Sequence, residues 1–74
     1  PAEIPTVKIS TPQLNIVELV VQAGLAPSKR EARRSVTQGA VVLEGQTLQD
    51  PTLTVELKGG ETLKLGKKWR RLEV

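Results

Sequence analysis

The stretch Ala23-Gly24-Leu25-Ala26-Pro27-Ser28-Lys29-Arg30-Glu31-Ala32-Arg33-Arg34, continued by Ser35-Val36-Thr37-Gln38-Gly39-Ala40-Val41, decides how this chain is read. Gly24 stands where the residue after a helix adopts positive φ, and Ala26-Pro27 turns the corner. Ser28 is a good N-cap, and Glu31 three residues on completes the pattern of a capping box. The spacing predicts a helix from there to about Gln38, stopped at Gly39. At about 100° per residue, Lys29, Arg33, Arg30 and Arg34 follow in that angular order across an arc of about 140°. Ala32, Ser35 and Val36 cover the opposite side, and their small size permits close packing on a preceding helix. The pattern is a tight helical corner whose outer face is nearly all cationic.

Upstream, Leu14, Ile16, Val17, Leu19, Val20, Val21 and Ala23 form a wide apolar stripe. It predicts a first helix of nearly three turns, begun at Thr11-Pro12. Residues 1–12 hold three prolines, two of which flank an extended-looking Thr6-Val7-Lys8-Ile9, and read as a linker or lead-in segment. Downstream the pattern changes to strands. Val41-Val42-Leu43, the two-residue turn Glu44-Gly45 and Gln46-Thr47-Leu48 read as a hairpin. Asp50-Pro51 marks a further turn, Leu53, Val55 and Leu57 alternate, and Gly59-Gly60 breaks that strand. Leu63 and Leu65 alternate again, Gly66-Lys67 turns, and Lys68 to Val74 returns as a last strand. The expected fold is α+β: two packed helices, then a small, mostly antiparallel sheet of four or five strands, in one domain over residues 13–74.

Composition narrows the chemistry. The 74 residues contain no Cys, His or Met, and one aromatic, Trp69. Without Cys there is neither a disulfide framework nor a thiolate metal site, and without His there is no imidazole base for a catalytic triad. Asp50 is the only Asp, and the eight carboxylates form no ligand cluster in sequence, so no metal site is expected. A self-contained enzyme is not the expectation. No apolar run approaches the length of a membrane span and no targeting pattern opens the chain, which together fit the cytoplasm. The first residue, Pro1, is consistent with a processed chain or a piece of a longer one.

Net charge is only +3, but its distribution is uneven. Eight of the eleven cations lie in two segments, Lys29–Arg34 and Lys67–Arg71, whose only acid is Glu31; they carry +7 and leave −4 on the rest. One such run alone can be a solvated face, whereas two on an oppositely charged body point to a polyanion. Arg donates two parallel hydrogen bonds to one phosphate, and the start of the second helix adds free N–H groups and a positive dipole end at Ser28, Lys29 and Arg30. Ser28, while capping, can still donate its hydroxyl hydrogen. In the second segment Lys67, Lys68, Arg70 and Arg71 surround Trp69, a pairing of cations with a ring that suits base stacking. Strand parity decides its orientation: with Leu72 and Val74 facing the core, Trp69, Arg71 and Glu73 face outward. Alternatively, Trp69 is a hydrophobic lid on the sheet. One aromatic is too few for a sheet that stacks several bases, and where a base reader would carry Asn, Gln or Ser beside Arg, the exposed helix face is nearly pure cation, with only Thr37 and Gln38 near its end. Phosphate geometry, and so a structured RNA read by shape, is the favoured target.

The helical run with Gln38-Gly39-Ala40-Val41 resembles the S-four-type RNA-binding domain, and Leu65-Gly66-Lys67-Lys68-Trp69-Arg70-Arg71-Leu72 resembles the closing strand of the version carried at the C-terminus of bacterial-type tyrosyl-tRNA synthetases. The likeness covers about residues 13 to 74. It departs at Glu44-Gly45, where Asn-Gly is common, at Trp69, where Phe is usual, and at Gln13-Leu14-Asn15, which lacks the basic residue many superfamily members carry. The resemblance implies binding to the long variable arm and anticodon side of tRNA(Tyr), through Ser28, Lys29, Arg30, Arg33, Arg34 and Gln38, with Lys67, Lys68 and Arg70 contributing. It further implies a catalytic domain elsewhere in the parent chain, a parent that uses ATP and Mg and forms a homodimer, and no cofactor in this domain. Two other readings stay open: an RNA-binding module of a pseudouridine synthase or ribosome-associated factor, and a basic module for acidic proteins or anionic membrane surfaces.

Overall fold

The helical corner is present. In the computed structural model, which describes residues 4–74, α1 (Ile16–Gln22) and α2 (Lys29–Thr37) pack against one another. Both end in the same way. The N–H groups of Gly24 and Leu25 return to the carbonyls of Val21 and Val20, and those of Gly39 and Ala40 to Val36 and Ser35. This closure needs a left-handed residue after the C-cap, and Gly24 and Gly39 supply it at φ 76° and 75°. At Gly39 a Cβ would stand 2.7 Å from Gln49 Nε2, the movable end of a flexible side chain, so the positive φ more than the space is what calls for glycine there. Ser28 caps α2 by accepting the Glu31 N–H at 3.3 Å. Among the described residues the return bond from the Glu31 carboxylate is absent, so half of the capping box is in place.

Seven strands accompany the helices: β1 (Thr6–Lys8), β2 (Gln13–Asn15), β3 (Val41–Leu43), β4 (Gln46–Leu48), β5 (Thr54–Glu56), β6 (Thr62–Leu65) and β7 (Lys68–Glu73). Five form a sheet in the order β1-β7-β6-β3-β4, antiparallel except for the β1–β7 pair, and β2 with β5 forms a two-stranded antiparallel sheet. Ile16, Leu19, Val20, Ala32, Val36, Val41, Leu63 and Leu72 are completely buried, so the helices lie on one face of the large sheet. Among the described residues no polar or charged side chain is buried. The core is held by apolar contact alone, and every described cation is at least partly solvated.

Two expectations, on the start of the first helix and on Val74, are corrected. The first helix does not begin at Thr11-Pro12: Gln13-Leu14-Asn15 pairs with Glu56-Val55-Thr54, and α1 starts at Ile16, two turns long rather than three. The cause is Asn15, whose Oδ1 accepts the Val17 N–H at 2.9 Å and fixes the helix start there. The described part of the lead-in segment, residues 4–12, contains a strand. Thr6–Lys8 adds a parallel edge strand to β7 in the register Val7↔Leu72, and Ile9 is buried in the core. An unpaired edge offers a row of backbone partners, and Pro5 and Pro12 bound the segment without interrupting it. Pro1, Ala2 and Glu3 lie outside the described residues. Val74, expected on the core side, is 45% exposed because β7 ends at Glu73.

The β3–β4 hairpin closes at Glu44 and Gly45 with φ 51° and 80°, a turn that places a non-glycine residue in the left-handed region. Asn tolerates that region better than Glu. Glu44→Asn is therefore expected to raise stability by about 0.5 kcal/mol, and urea unfolding of the two proteins checks it. An unchanged or lower midpoint would show that Glu44 bears no strain at this turn.

Candidate nucleic-acid interface

The sequence brings cations to one face of α2, and the tertiary structure gives that face an opposite wall. Asn15 connects the two. Its Nδ2 donates to the carbonyls of Pro51 at 2.9 Å and Leu53 at 3.3 Å while its Oδ1 caps α1, and the Ile16 N–H reaches the Leu53 carbonyl at 2.9 Å. The turn that follows β4 is thereby drawn against the start of α1. Asp50 stiffens it from within, accepting the Thr52 hydroxyl at 2.6 Å and the Thr52 N–H at 2.9 Å. Those two bonds, the hydroxyl one foremost, hold the Asp50 carboxyl below the usual carboxylate range.

The result is an open groove of about 540 Å³ lined by Asn15, Val17, Lys29, Arg30, Arg33, Pro51 and Thr52. Three of the predicted site residues, Lys29, Arg30 and Arg33, stand together on one wall. Asn15, Pro51 and Thr52 on the opposite side were not among them. Their only signal in the sequence is the Asp50-Pro51 turn, and nothing local says that this turn meets α2. Ser28 sits at the head of the same helix, Arg34 is exposed on α2 away from the groove lining, and Gln38 is the exposed C-cap.

The charges on this wall are largely unspent. Among the described residues the one ion pair is Lys29 with Glu18 at 3.3 Å, a contact from α2 to α1 in which the lysine side chain is 73% exposed. An exposed pair of this kind is worth only about 0.2–1 kcal/mol, so Lys29 is readily released to an incoming anion. Arg30, Arg33 and Arg34 are exposed without an ion-pair partner among the described residues. A helix N-terminus and four cations aimed at solvent have a use for phosphate oxygens, whose own charge replaces the missing counterions.

The second basic segment is divided by the sheet. Directly paired residues share a face, so Lys68 with Leu65 and Arg70 with Leu63 lie on the helix side, whereas Trp69 with Lys64 and Arg71 with Thr62 lie on the outer side. Trp69 is 37% exposed, in agreement with the outward orientation, and not a buried lid. Its ring is already engaged: Lys64 Nζ lies 5.0 Å from the ring centroid, a cation–π contact of about 0.5–1 kcal/mol at an exposed site. Arg70 is half-buried, with Nε donating to the Ala23 carbonyl at 3.1 Å and Nη1 to the Trp69 carbonyl at 2.8 Å. Lys67 lies exposed in the turn after Gly66, and Lys68 is exposed at the start of β7. The five-residue run is therefore not a single patch: Lys67 and Lys68 are free, Arg70 is bound to the protein, and Trp69 looks the other way.

Among the described residues no three His, Cys, Asp or Glu side chains are placed to hold a metal ion, and no helix is long and apolar enough to cross a membrane. Comparison with known proteins gives one consistent family. The chain is 43% identical over 68 residues to a tyrosine--tRNA ligase of Moorella thermoacetica and 46% identical over 68 residues to one of Thermotoga maritima. It is 35% identical over the same length to one of Aquifex aeolicus. Each match covers 92% of this chain but only 16–17% of the relative, so the chain spans about one-sixth of the length of these proteins. The family model for the tyrosine--tRNA ligase SYY-like C-terminal domain matches residues 2–68, and with the two-helix corner and mixed sheet described above the chain belongs to that family.

Proposed function

We propose that this domain is a non-catalytic RNA-binding appendage that holds tRNA(Tyr), by its long variable arm and anticodon side, for a catalytic domain in the same parent chain. The observation that carries the reading is the groove wall of Lys29, Arg30 and Arg33 at the positive end of α2, with Arg34 beside it and one weak ion pair among the four. The absence of Asn, Gln or Ser beside the cations on that wall favours phosphate geometry over sequence. Membership of the tyrosine--tRNA ligase C-terminal family supports tRNA(Tyr) as the RNA. The parent is read as a cytoplasmic tyrosine–tRNA ligase that uses ATP and Mg in its catalytic domain and acts as a homodimer. Tethering raises the local concentration of tRNA at that domain without a new catalytic contact. Trp69 enters the proposal as a second contact on the outer sheet face, where a base would have to displace Lys64 from the ring.

Salt-dependent titration against three probes tests the reading: a tRNA(Tyr) transcript with its long variable arm, a plain RNA duplex, and anionic vesicles. The transcript is expected to bind best, with log K falling against log salt by about 0.7–0.9 for each phosphate neutralised. Equal affinity for the duplex would remove the tRNA from the proposal, and tighter binding to vesicles would replace RNA by a membrane surface.

A further inference from the structure

We propose that Arg70 is a positioning residue: it fixes the α1–α2 junction, and through it the cationic start of α2, without itself contacting RNA. The inference deepens the RNA-binding reading and rests on it for its functional consequence. Three observations carry it. The Arg70 side chain lies on the helix side of β7, where its Nε–H meets the carbonyl of Ala23, the C-cap of α1, at 3.1 Å. A second donor of the same guanidinium is held by the Trp69 carbonyl at 2.8 Å, so the fork bridges the end of α1 to β7. And α1, unlike α2 with Arg34, has no basic residue in its own last turn.

The physical need follows from these. The carbonyls at the end of a helix have no intrahelical partners, and the turn after α1 satisfies Val20 and Val21 but not Ala23. A cation there also opposes the negative end of the helix dipole. Arg70 supplies both from a strand 47 residues further along the chain. Only Gly24-Leu25-Ala26-Pro27 separates Ala23 from the Ser28 cap, and Leu25 and Ala26 are buried. Anchoring Ala23 therefore sets where α2 begins and where Lys29, Arg30 and Arg33 stand relative to the 50–52 turn. For Arg70 to reach a phosphate it would have to leave a partly buried carbonyl unsatisfied, which opposes the exchange.

Contact and positioning differ in two measurements on Arg70→Gln and, as the reference contact, Arg33→Gln. Without RNA, amide hydrogen exchange at Gly24 and Leu25, whose N–H groups are bonded to the Val21 and Val20 carbonyls, should rise about tenfold in Arg70→Gln and stay at the wild-type rate in Arg33→Gln. With the tRNA(Tyr) transcript, Arg70→Gln should weaken binding about tenfold with the salt slope unchanged, while Arg33→Gln should lower the slope by about 0.7–0.9. A slope lowered in Arg70→Gln as in Arg33→Gln would make Arg70 a phosphate contact and overturn the proposal. So would wild-type exchange at Gly24 and Leu25. Should Arg70→Gln fail to fold, Arg70→Lys, which keeps the charge and loses the fork, is read by exchange with the same two outcomes. If the wild-type domain does not bind the transcript, the RNA reading falls, and exchange, measured without RNA, still decides whether Arg70 holds the junction.

Discussion

Replacing Arg33 and Arg34 together by glutamate is expected to abolish binding of the tRNA(Tyr) transcript at physiological salt while moving the thermal midpoint by only a few degrees. Both side chains are exposed on α2 and neither has an ion-pair partner among the described residues, so the folded state loses little. Their backbone positions are helical and Glu is a good helix former. The largest structural cost is an acid in place of Arg34 in the last turn of α2, about 0.3–1 kcal/mol against the helix dipole. Binding loses far more. Two charge-assisted hydrogen bonds of about 1.5–3 kcal/mol each correspond to a loss of about 10² to 10⁴ in affinity, before the repulsion of the new carboxylates is added. Filter binding and a melting curve on the same samples separate the two effects. A protein that unfolds would make these arginines structural, and one that binds normally would move the site off α2.

The second large effect is on stability. Deleting residues 1–9 is expected to leave a chain without a cooperative melting transition at 25 °C. These residues carry β1, the bonds from the Ile9 N–H to the Glu73 carbonyl at 2.6 Å and from the Arg71 N–H to the Pro5 carbonyl at 2.8 Å, and the buried Ile9 side chain. Loss of one such isoleucine costs about 2–5 kcal/mol, and a core of this size rarely supplies more than about 3–5 kcal/mol in total. Ile9→Ala, which keeps the strand, isolates the side chain and should lower the midpoint by about 10–20 °C. A truncated domain that melts like the intact one would show β1 to be an optional addition to the edge of β7.

The same segment shows where reading a sequence stops. Thr6-Val7-Lys8-Ile9 is legible as extended chain, because prolines flank it and β-branched residues fill it. That it is a strand of the sheet depends on β7, more than sixty residues later, presenting a free edge at the right distance. Asn15 is similar. In sequence it falls inside the predicted first helix, whereas in the structure it ends a strand, caps a helix and grips the 50–53 turn at once. The second basic segment was legible in composition, and strand parity gave the outward direction of Trp69 and Arg71, but not the partner of Arg70. Strand alternation separates Trp69 and Arg71 from Lys68 and Arg70, and only the meeting of β7 with the end of α1 commits Arg70 to a carbonyl.

What the amino-acid sequence determined by itself is local and periodic. The α2 cap at Ser28, its cationic arc, the two glycine stops, the β3–β4 hairpin and the turn at Gly66 each follow from residues within a few positions of one another. Helical and strand periods, capping hydrogen bonds and positive-φ turns are short-range physics, and they suffice for an α+β domain with a basic helix. The tertiary structure decided everything that depends on which distant surfaces meet. It placed β1 on β7 and β5 on β2, set the 50–52 turn opposite α2 as the second wall of the groove, and committed Arg70 to the Ala23 carbonyl while leaving Arg30, Arg33 and Arg34 exposed. Those pairings are chosen by burial of the shared apolar core and by satisfaction of exposed backbone groups, and neither is written in any one stretch of the chain.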